Sequence, residues 1–223
     1  MSAPQAGLHD LLATTPVVPV LAIDSVGTAL PLARALVAGG LPVLEITLRT
    51  PAALEIIRAI GGEIEAAVVG AGTVLTPEQY RDAVRVGARF VVSPGATPAL
   101  LDVAEAISVP FLPGAGTSSE VMRLLERGYD CLKFFPAEPS GGVAYLQALA
   151  APLPGALFCP TGGIDAARAP AYLALPNVVC IGGSWVAPRD AVSAGDWPAV
   201  TRLARSAAAL RPTPKTGPQP PGP

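Results

Sequence analysis

Lys133 is the residue of this sequence best suited to act as a nucleophile. It is one of two lysines, and the other, Lys215, lies in a proline-rich segment near the C-terminus. In the run CLKFFP, residues 131–136, apolar and aromatic neighbours remove water from an ammonium group and disfavour its charge. A neutral amine attacks carbonyl carbons, so we expect Lys133 to form an imine with a ketone. The alternative is a structural lysine paired with an acid at the rim of a sheet.

A carboxylate and a guanidinium follow the same spacing on an earlier segment. Glu45, Thr47 and Arg49 alternate within the run VLEITLRT, so in a strand their side chains point to one face. A carboxylate near an amine can move protons, and a guanidinium binds a substrate carboxylate through two parallel hydrogen bonds. For the strand considered alone, a structural ion pair between Glu45 and Arg49 is an equally good interpretation.

Polar residues and glycines also close four other apolar runs. In a parallel barrel the active site lies at the carboxyl ends of the strands, and glycine-rich loops after strands seven and eight commonly bind phosphate there. Glycine pairs are also common in ordinary turns, which is the alternative for each pair taken alone. The groups at these ends are Thr73, Ser93-Pro94-Gly95, Thr161-Gly162-Gly163 and Gly182-Gly183-Ser184.

Eight short apolar runs must position these side chains. They are regularly spaced, with room for a loop and a helix between neighbours, and continuous apolar strands are typical of a sheet covered on both faces. The runs are VVPVLAI from 17, VLEITL from 43, AAVVGAGT from 66 or 67, FVVSPG from 90, FLPGAG from 111, CLKFFP from 131, LFCPTGG from 157 and VVCIGGS from 178.

Helix signals fill the intervals between these runs. Capping hydroxyls stand before a proline or an acid at Thr76, Thr97 and Ser118, and glycines mark helix ends at 39–40, 87 and 128. The pattern predicts an α/β protein with a single (β/α)8 TIM barrel over residues 1–210. A doubly wound open sheet is the alternative, because counting strands does not show closure. Residues 211–223, with six prolines, are predicted to be a disordered tail.

Composition excludes several functional classes. The net charge of −2 comes without basic clusters, which argues against a nucleic-acid partner. His9 is the only histidine, which argues against a zinc-dependent enzyme, and we expect no metal site and no cofactor. Prolines and glycines interrupt the long uncharged stretches, so we expect no membrane span. The N-terminus MSAPQAGLHD has no basic segment followed by an apolar one, so we expect no secretory signal and a cytoplasmic protein. Because only 14% of the residues are charged, part of the surface is expected to lie in a subunit interface. The three cysteines are interpreted as buried free thiols.

Taken together, these motifs resemble the class I aldolases that cleave 2-keto-3-deoxy-6-phosphogluconate (KDPG) and 4-hydroxy-2-oxoglutarate (KHG). The resemblance covers roughly residues 8–210 and depends on the order and spacing of several motifs. These are PVVPV from 16, ALVAGG from 35, LEITLRT from 44, VGAGTV from 69, SPG from 93, KFFPAE from 133, CPTGGI from 159 and CIGGSW from 180.

The resemblance implies a role for each candidate residue. Lys133 forms the Schiff base with the C2 carbonyl of a phosphorylated 2-keto acid, and Glu45 is the general acid and base. Binding of the substrate falls to Arg49, Thr73, Pro94, Phe135, Thr161, Gly162, Gly163, Gly183 and Ser184. Of these, Arg49 and Thr73 hold the carboxylate, Phe135 packs on the pyruvyl group, and Gly162, Gly163 and Ser184 hold the phosphate. The resemblance also implies a homotrimer.

Three alternatives stay open at this point. The substrate of such an aldolase could be the galactonate epimer of KDPG. An isomerase of sugar phosphates would use the same glycine loops without forming an imine. A non-catalytic trimeric barrel scaffold would keep the fold without the reaction.

Overall fold

The computed structural model describes residues 5–210; the predicted tail at 211–223 lies outside the described residues. In this part of the chain nine short parallel strands alternate with helices, except that the fifth and sixth strands are separated by a single residue. The strands are β1 (Val17–Leu21), β2 (Val43–Thr47), β3 (Val68–Gly72), β4 (Val91–Val92), β5 (Phe111–Leu112), β6 (Gly114–Ala115), β7 (Cys131–Phe134), β8 (Leu157–Pro160) and β9 (Ile181–Gly183).

Ten helices connect and flank these strands. They are α1 (Leu8–Ala13), α2 (Val26–Ala38), α3 (Ala53–Glu63), α4 (Pro77–Arg85), α5 (Pro98–Ala106), α6 (Ser118–Glu126), α7 (Gly142–Ala150), α8 (Ala169–Leu173), α9 (Arg189–Ala194) and α10 (Trp197–Ala208). None of the helices in the described part of the chain is long and apolar enough to cross a membrane.

The strands form a curled parallel sheet in two parts. Six strands pair in the order β5-β4-β3-β2-β1-β9, and three pair in the order β6-β7-β8. Two isolated parallel bridges, Phe158 with Val178 and Thr161 with Gly182, join β8 to the segment that contains β9. All eight predicted strands are therefore present, but the fifth is divided in two.

Pro113 divides that fifth strand into β5 and β6. Proline has no N–H to donate, so it cannot continue a ladder in both directions. Its carbonyl oxygen still accepts a hydrogen bond from the Lys133 N–H at 2.8 Å. Because of this break, β5 pairs with β4 and β6 pairs with β7. The residues around Pro113 therefore connect the two parts of the sheet beside Lys133.

The predicted helix boundaries agree with the structure except at one cap. Thr76 and Thr97 accept hydrogen bonds from the first turns of α4 and α5. At α6 the cap is Thr117, one residue before the predicted Ser118, and it forms a reciprocal capping box with Glu120. The Glu120 carboxylate accepts the Gly116 and Thr117 N–H groups, which lowers its pKa.

The core has two layers, one on each side of the sheet. The larger lies between the strands and the helices. The smaller lies inside the curled sheet and includes the three cysteines together with Leu8 and Leu12 of α1. Gln5, just before α1, is also buried: its amide donates to the carbonyl oxygens of Phe111 and Cys131 at 2.8 and 2.6 Å. Gln5 therefore joins the amino ends of β5 and β7.

Candidate active site

Lys133 and Glu45 form a buried ion pair inside the curled sheet. Lys133 Nζ lies 3.1 Å from Glu45 Oε1 and 3.5 Å from Oε2. The two side chains are only 5% and 4% exposed. Lys133 follows Cys131 by two residues on β7, and both point inward, as strand alternation predicts. The predicted nucleophile and the predicted acid-base group are therefore in direct contact.

This pair changes how the amine must become reactive. The sequence predicted an apolar pocket around the amine, whereas the structure places a carboxylate beside it. The same carboxylate is within hydrogen-bond distance to accept the proton that Lys133 must lose before it attacks a carbonyl. The Phe135 ring, with its centroid 5.5 Å from Lys133 Nζ, covers the amine. The site thus brings together the predicted nucleophile, the predicted acid-base group and an aromatic ring.

Gly72, at the end of β3, makes room for the Glu45 carboxylate. A Cβ built at this position would lie 2.1 Å from Glu45 Oε1 and 2.5 Å from its Cγ. Any larger residue would displace the carboxylate from Lys133. The next residue, Thr73, is the only residue other than glycine in the described chain with positive φ, at 59°. A β-branched residue is strained in this conformation, and such strain is common at functional sites.

Arg49 lies apart from Glu45. Its Nε donates to Thr47 Oγ1 at 3.2 Å, and its side chain is exposed beyond the end of β2. Within residues 5–210 it makes no ion pair, so the alternative of a structural Glu45–Arg49 pair does not apply. Arg49 and Ser184 line a cavity of about 900 Å³ at the ends of β1, β2 and β9. This cavity does not include Lys133 or Glu45.

The segments after β8 and β9 meet through close backbone contacts. A Cβ at Gly182 would lie 2.2 Å from Thr161 Oγ1, and one at Gly183 would collide with the Trp185 ring. Thr161 is buried, whereas Ser184 is exposed at the rim. Gly162 and Gly163 have φ values of 107° and 80°, which only glycine adopts readily. The predicted phosphate-binding residues therefore lie on two adjacent loops.

Pro94 lies beside β6, whereas Phe135 lies near both Lys133 and the Gly162–Gly163 segment. The Pro94 carbonyl carbon lies 2.2 Å from the position that a Cβ at Gly114 would take, so the loop after β4 packs on β6. Phe135 is half-buried, and its Cε2 lies 3.4 Å from the Cβ position at Gly162. Phe135 therefore lies between the catalytic pair and the Gly162–Gly163 segment.

Two residues that shape the site were missed by the sequence analysis. Gly72 had a signal, since glycine within a strand often marks a close approach of another group. Glu138 lies in the quoted motif KFFPAE, but nothing local distinguishes it from a surface carboxylate. Its partners are more than twenty residues further along the chain.

The cysteines and other metal-ligating residues form no recognisable metal centre. Among residues 5–210, no three or more His, Cys, Asp or Glu side chains are grouped as metal ligands. All three cysteines are buried and form no disulfide, with 3.5 Å between the sulfurs of Cys159 and Cys180. Burial, and to a lesser degree the neighbouring Cys159, raises the pKa of the Cys131 thiol. We therefore assign these thiols to the inner core.

Comparison with known proteins matches this geometry to one family. The sequence model of the KDPG and KHG aldolase family matches residues 8–203. A 2-dehydro-3-deoxy-phosphogluconate aldolase of Pseudoalteromonas atlantica is 51% identical over 201 residues, which are 90% of this chain and 94% of that protein. A KHG/KDPG aldolase of Escherichia coli K12 is 51% identical over 199 residues, 89% of this chain and 93% of the other.

A solved structure extends the similarity to three dimensions. The KDPG aldolase of Legionella pneumophila, crystallised with pyruvate captured as a covalent carbinolamine, has a TM-score of 0.88 and 44% identity, covering 90% of this chain and 97% of that one. The similarity spans nearly the full length of these proteins and includes every element that carries the site. This chain therefore belongs to the KDPG and KHG aldolase family.

Proposed function

We propose that this protein is a class I aldolase that cleaves KDPG to pyruvate and glyceraldehyde 3-phosphate through an imine on Lys133. The observation that carries the proposal is the buried contact of 3.1 Å between Lys133 Nζ and Glu45 Oε1. A carbon-carbon lyase of this kind needs an amine nucleophile beside a group that accepts and returns protons. Relatives at about half identity that are named for this activity support the assignment.

The reaction begins at the amine. Glu45 takes a proton from the Lys133 ammonium, and the neutral amine attacks the C2 carbonyl of the substrate to give a carbinolamine. Glu45 then returns a proton to the departing hydroxyl, and water leaves as the protonated imine forms. The aromatic face of Phe135 lies over the amine and limits the access of bulk water.

Carbon-carbon cleavage uses the imine as an electron sink. Glu45, acting again as the base, accepts the proton of the C4 hydroxyl. The C3–C4 bond then breaks, and its electron pair moves toward the iminium nitrogen to give an enamine. Protonation of the enamine at C3 and addition of water then release pyruvate and regenerate Lys133. Because the iminium accepts the electrons, we expect the reaction to need no metal ion, which activity after dialysis against a chelator would test.

Substrate binding follows from the two ends of the keto acid. Arg49 and Thr73 bind the carboxylate, and Pro94 shapes that end of the pocket. Phe135 packs on the pyruvyl group. The phosphate lies against the residues of the two glycine loops, namely Thr161, Gly162, Gly163, Gly183 and Ser184. The strained backbone of Thr73 and the positive φ of Gly162 and Gly163 support these roles.

KHG is proposed as a second substrate, cleaved to pyruvate and glyoxylate. The name of the E. coli relative favours this addition. KHG lacks a phosphate and carries a carboxylate at its distal end instead. Steady-state kinetics with KDPG, its galactonate epimer and KHG would rank the three substrates.

Borohydride trapping tests the imine directly. Reduction in the presence of pyruvate should leave a stable 1-carboxyethyl group on Lys133, identified by peptide mass spectrometry. Lys133→Gln is the matched control, because the amide can still donate to Glu45 but cannot form an imine. This variant should fold, bind no pyruvate covalently and cleave no KDPG. Unmodified Lys133 under conditions that label another class I aldolase would overturn the proposal.

The closed barrel and the assembly are also part of the proposal. We infer that β5 and β6 act as one strand and that the bridges between β8 and β9 complete a (β/α)8 ring. Residues 1–210 would form this single domain and leave 211–223 outside it. We further propose a homotrimer, supported by the low charge content. The cytoplasmic location stays a prediction from the sequence.

A further inference from the structure

The Gly162–Gly163 segment needs support from outside its own loop. It lies just after β8, and both glycines have positive φ. Glycine in a flexible chain adopts many backbone conformations, so this one must be selected by contacts in the folded protein. The Gly163 N–H donates to no acceptor in the part of the chain that the structure describes. A segment that offers backbone N–H groups to a ligand binds well only if its shape is fixed beforehand.

Glu138, in the loop after β7, supplies such support through its backbone and its stem. Its N–H donates to the Gly162 carbonyl oxygen at 3.0 Å. Its Cβ and Cγ lie 2.7 and 2.8 Å from the position that a Cβ at Gly163 would take, so they pack directly on the Gly163 backbone. The two loops therefore fit together only because residue 163 is glycine.

The Glu138 carboxylate is held on both of its oxygens. The Tyr172 hydroxyl donates to Oε1, and Arg168 Nε lies 3.2 Å from Oε2. Tyr172 is fully buried on α8, and burial first, with the Glu138 contact second, raises the pKa of its phenol. Arg168 also pairs with Asp165 in the same loop. Tyr172 on α8 and Arg168 just before it thus hold the Glu138 side chain that packs on Gly163.

Both oxygens of the Glu138 carboxylate already have partners within the protein. Arg168, which it shares with Asp165, pairs with Oε2, and the Tyr172 hydroxyl donates to Oε1. Glu138 is also only one-third exposed. Its carboxylate is therefore engaged in structure and is not directed at substrate.

We propose that Glu138 is a positioning residue that fixes the Gly162–Gly163 segment for the distal anionic group of the substrate. This inference rests on the proposed function, because contact between these glycines and the phosphate is part of that proposal. Loss of the Glu138 side chain would weaken binding of phosphorylated substrate, because the Gly162–Gly163 segment would no longer be held in place. Lys133 and Glu45 do not contact Glu138, so the imine should still form.

The test compares a phosphorylated with an unphosphorylated ligand in the same variants. For Glu138→Ala, the KM for KDPG should rise by about 10-fold or more, the effect of losing hydrogen bonds to a charged group. The pyruvate concentration that gives half-maximal borohydride trapping should stay unchanged, as should kcat with KDPG. Glu138→Gln and Tyr172→Phe should raise the KM in the same direction by smaller factors, because each keeps part of the cluster.

Glu105→Ala is the matched control. Glu105 also pairs with an arginine, Arg127, at 2.8 Å and is similarly exposed, but it lies on α5. This variant should change neither the KM for KDPG nor the trapping. An equal loss for pyruvate and KDPG in Glu138→Ala, or no change for either, would overturn the inference. If that variant does not fold, Glu138→Gln and Tyr172→Phe decide by the same comparison. Absence of trapping in the unmodified protein would instead refute the proposed function.

Discussion

Gly72 shows how one missing side chain makes room for the contact between Lys133 and Glu45. The Glu45 carboxylate occupies the space that a Cβ on residue 72 would take, and Glu45 is only 3% exposed, so it has little room to move away. Its contact with Lys133 therefore depends on a residue that takes no part in the chemistry. Strand alternation predicted the faces on which Lys133 and Glu45 lie, whereas it did not predict that Gly72 packs against the Glu45 carboxylate.

Gly72→Ala should reduce kcat strongly. Displacement of a catalytic group by about 1 Å can cost about 100-fold in rate, and we expect a loss of that order with KDPG. Gly62→Ala is the control, because a Cβ there meets nothing within 4 Å. In helix α3 it should leave kcat unchanged and raise the free energy of unfolding by about 0.5–1 kcal/mol. Full activity in Gly72→Ala would show that Glu45 need not touch Lys133.

At the scale of elements, two tyrosines pack on the same ring but differ in how their hydroxyls are satisfied. Tyr80 on α4 and Tyr129 before β7 lie edge-on to Phe111, with centroids 5.7 and 6.1 Å away. The Tyr80 hydroxyl donates to the Val109 carbonyl oxygen at 2.7 Å and so ties α4 to the segment before β5. The Tyr129 hydroxyl is buried without a partner among the described residues.

Phenylalanine substitutions should therefore have different effects at the two positions. Tyr80→Phe should lower the free energy of unfolding by about 1 kcal/mol, because the Val109 carbonyl loses its donor. Tyr129→Phe should be neutral or stabilising, because it removes an unsatisfied polar group. Denaturant unfolding of both variants measures the difference. Equal losses at the two positions would contradict the assigned contacts.

Tyr129 also gives the protein a pH dependence at high pH. Burial, then the nearby Glu105, raises the pKa of Tyr129 from 10.0 to about 12. Between these values the folded state keeps a proton that the unfolded state has lost, so stability falls as the pH rises through this range. Tyr129→Phe should reduce that loss, which unfolding at several alkaline pH values would detect.

At the scale of the whole molecule, the surface carries two large apolar side chains that the fold does not cover. Among residues 5–210, Leu75 and Met122 are the exposed large hydrophobics, at 53% and 51%. Isolated exposed apolar residues are common on monomers, so they are consistent with an interface but do not require one. A subunit interface in the proposed homotrimer would account for their exposure in the single chain.

Light scattering after gel filtration tests the trimer. The unmodified protein should elute with the mass of three chains, and Leu75→Glu or Met122→Glu should shift the mass toward one chain if that side chain lies in the interface, because a buried unpaired carboxylate opposes association. A mass of one chain for the unmodified protein would contradict the trimer. Retention of the trimer in both variants would place the interface elsewhere on the surface.

The sequence by itself determined the local features of this protein. Apolar runs, capping residues and glycines specify strands, helices and turns within a few residues, and alternation fixes which side chains share a face. For this reason the eight strand segments and the inward placement of Lys133 and Glu45 were predictable. The division of the fifth strand at Pro113 and the cap at Thr117 differed, each through one local hydrogen-bonding detail. Arg49 also differed, since it lies exposed beyond the end of β2 and not on the inward face with Glu45.

Only the tertiary structure decided which distant groups meet. Lys133 and Glu45 are 88 residues apart, and nothing local distinguishes Glu45 from another carboxylate or from a partner of Arg49. The space left by Gly72 and the brace formed by Glu138, Arg168 and Tyr172 likewise depend on distances between separate strands and loops. Such distances arise from packing of the whole chain, and the pattern of any one segment does not contain them.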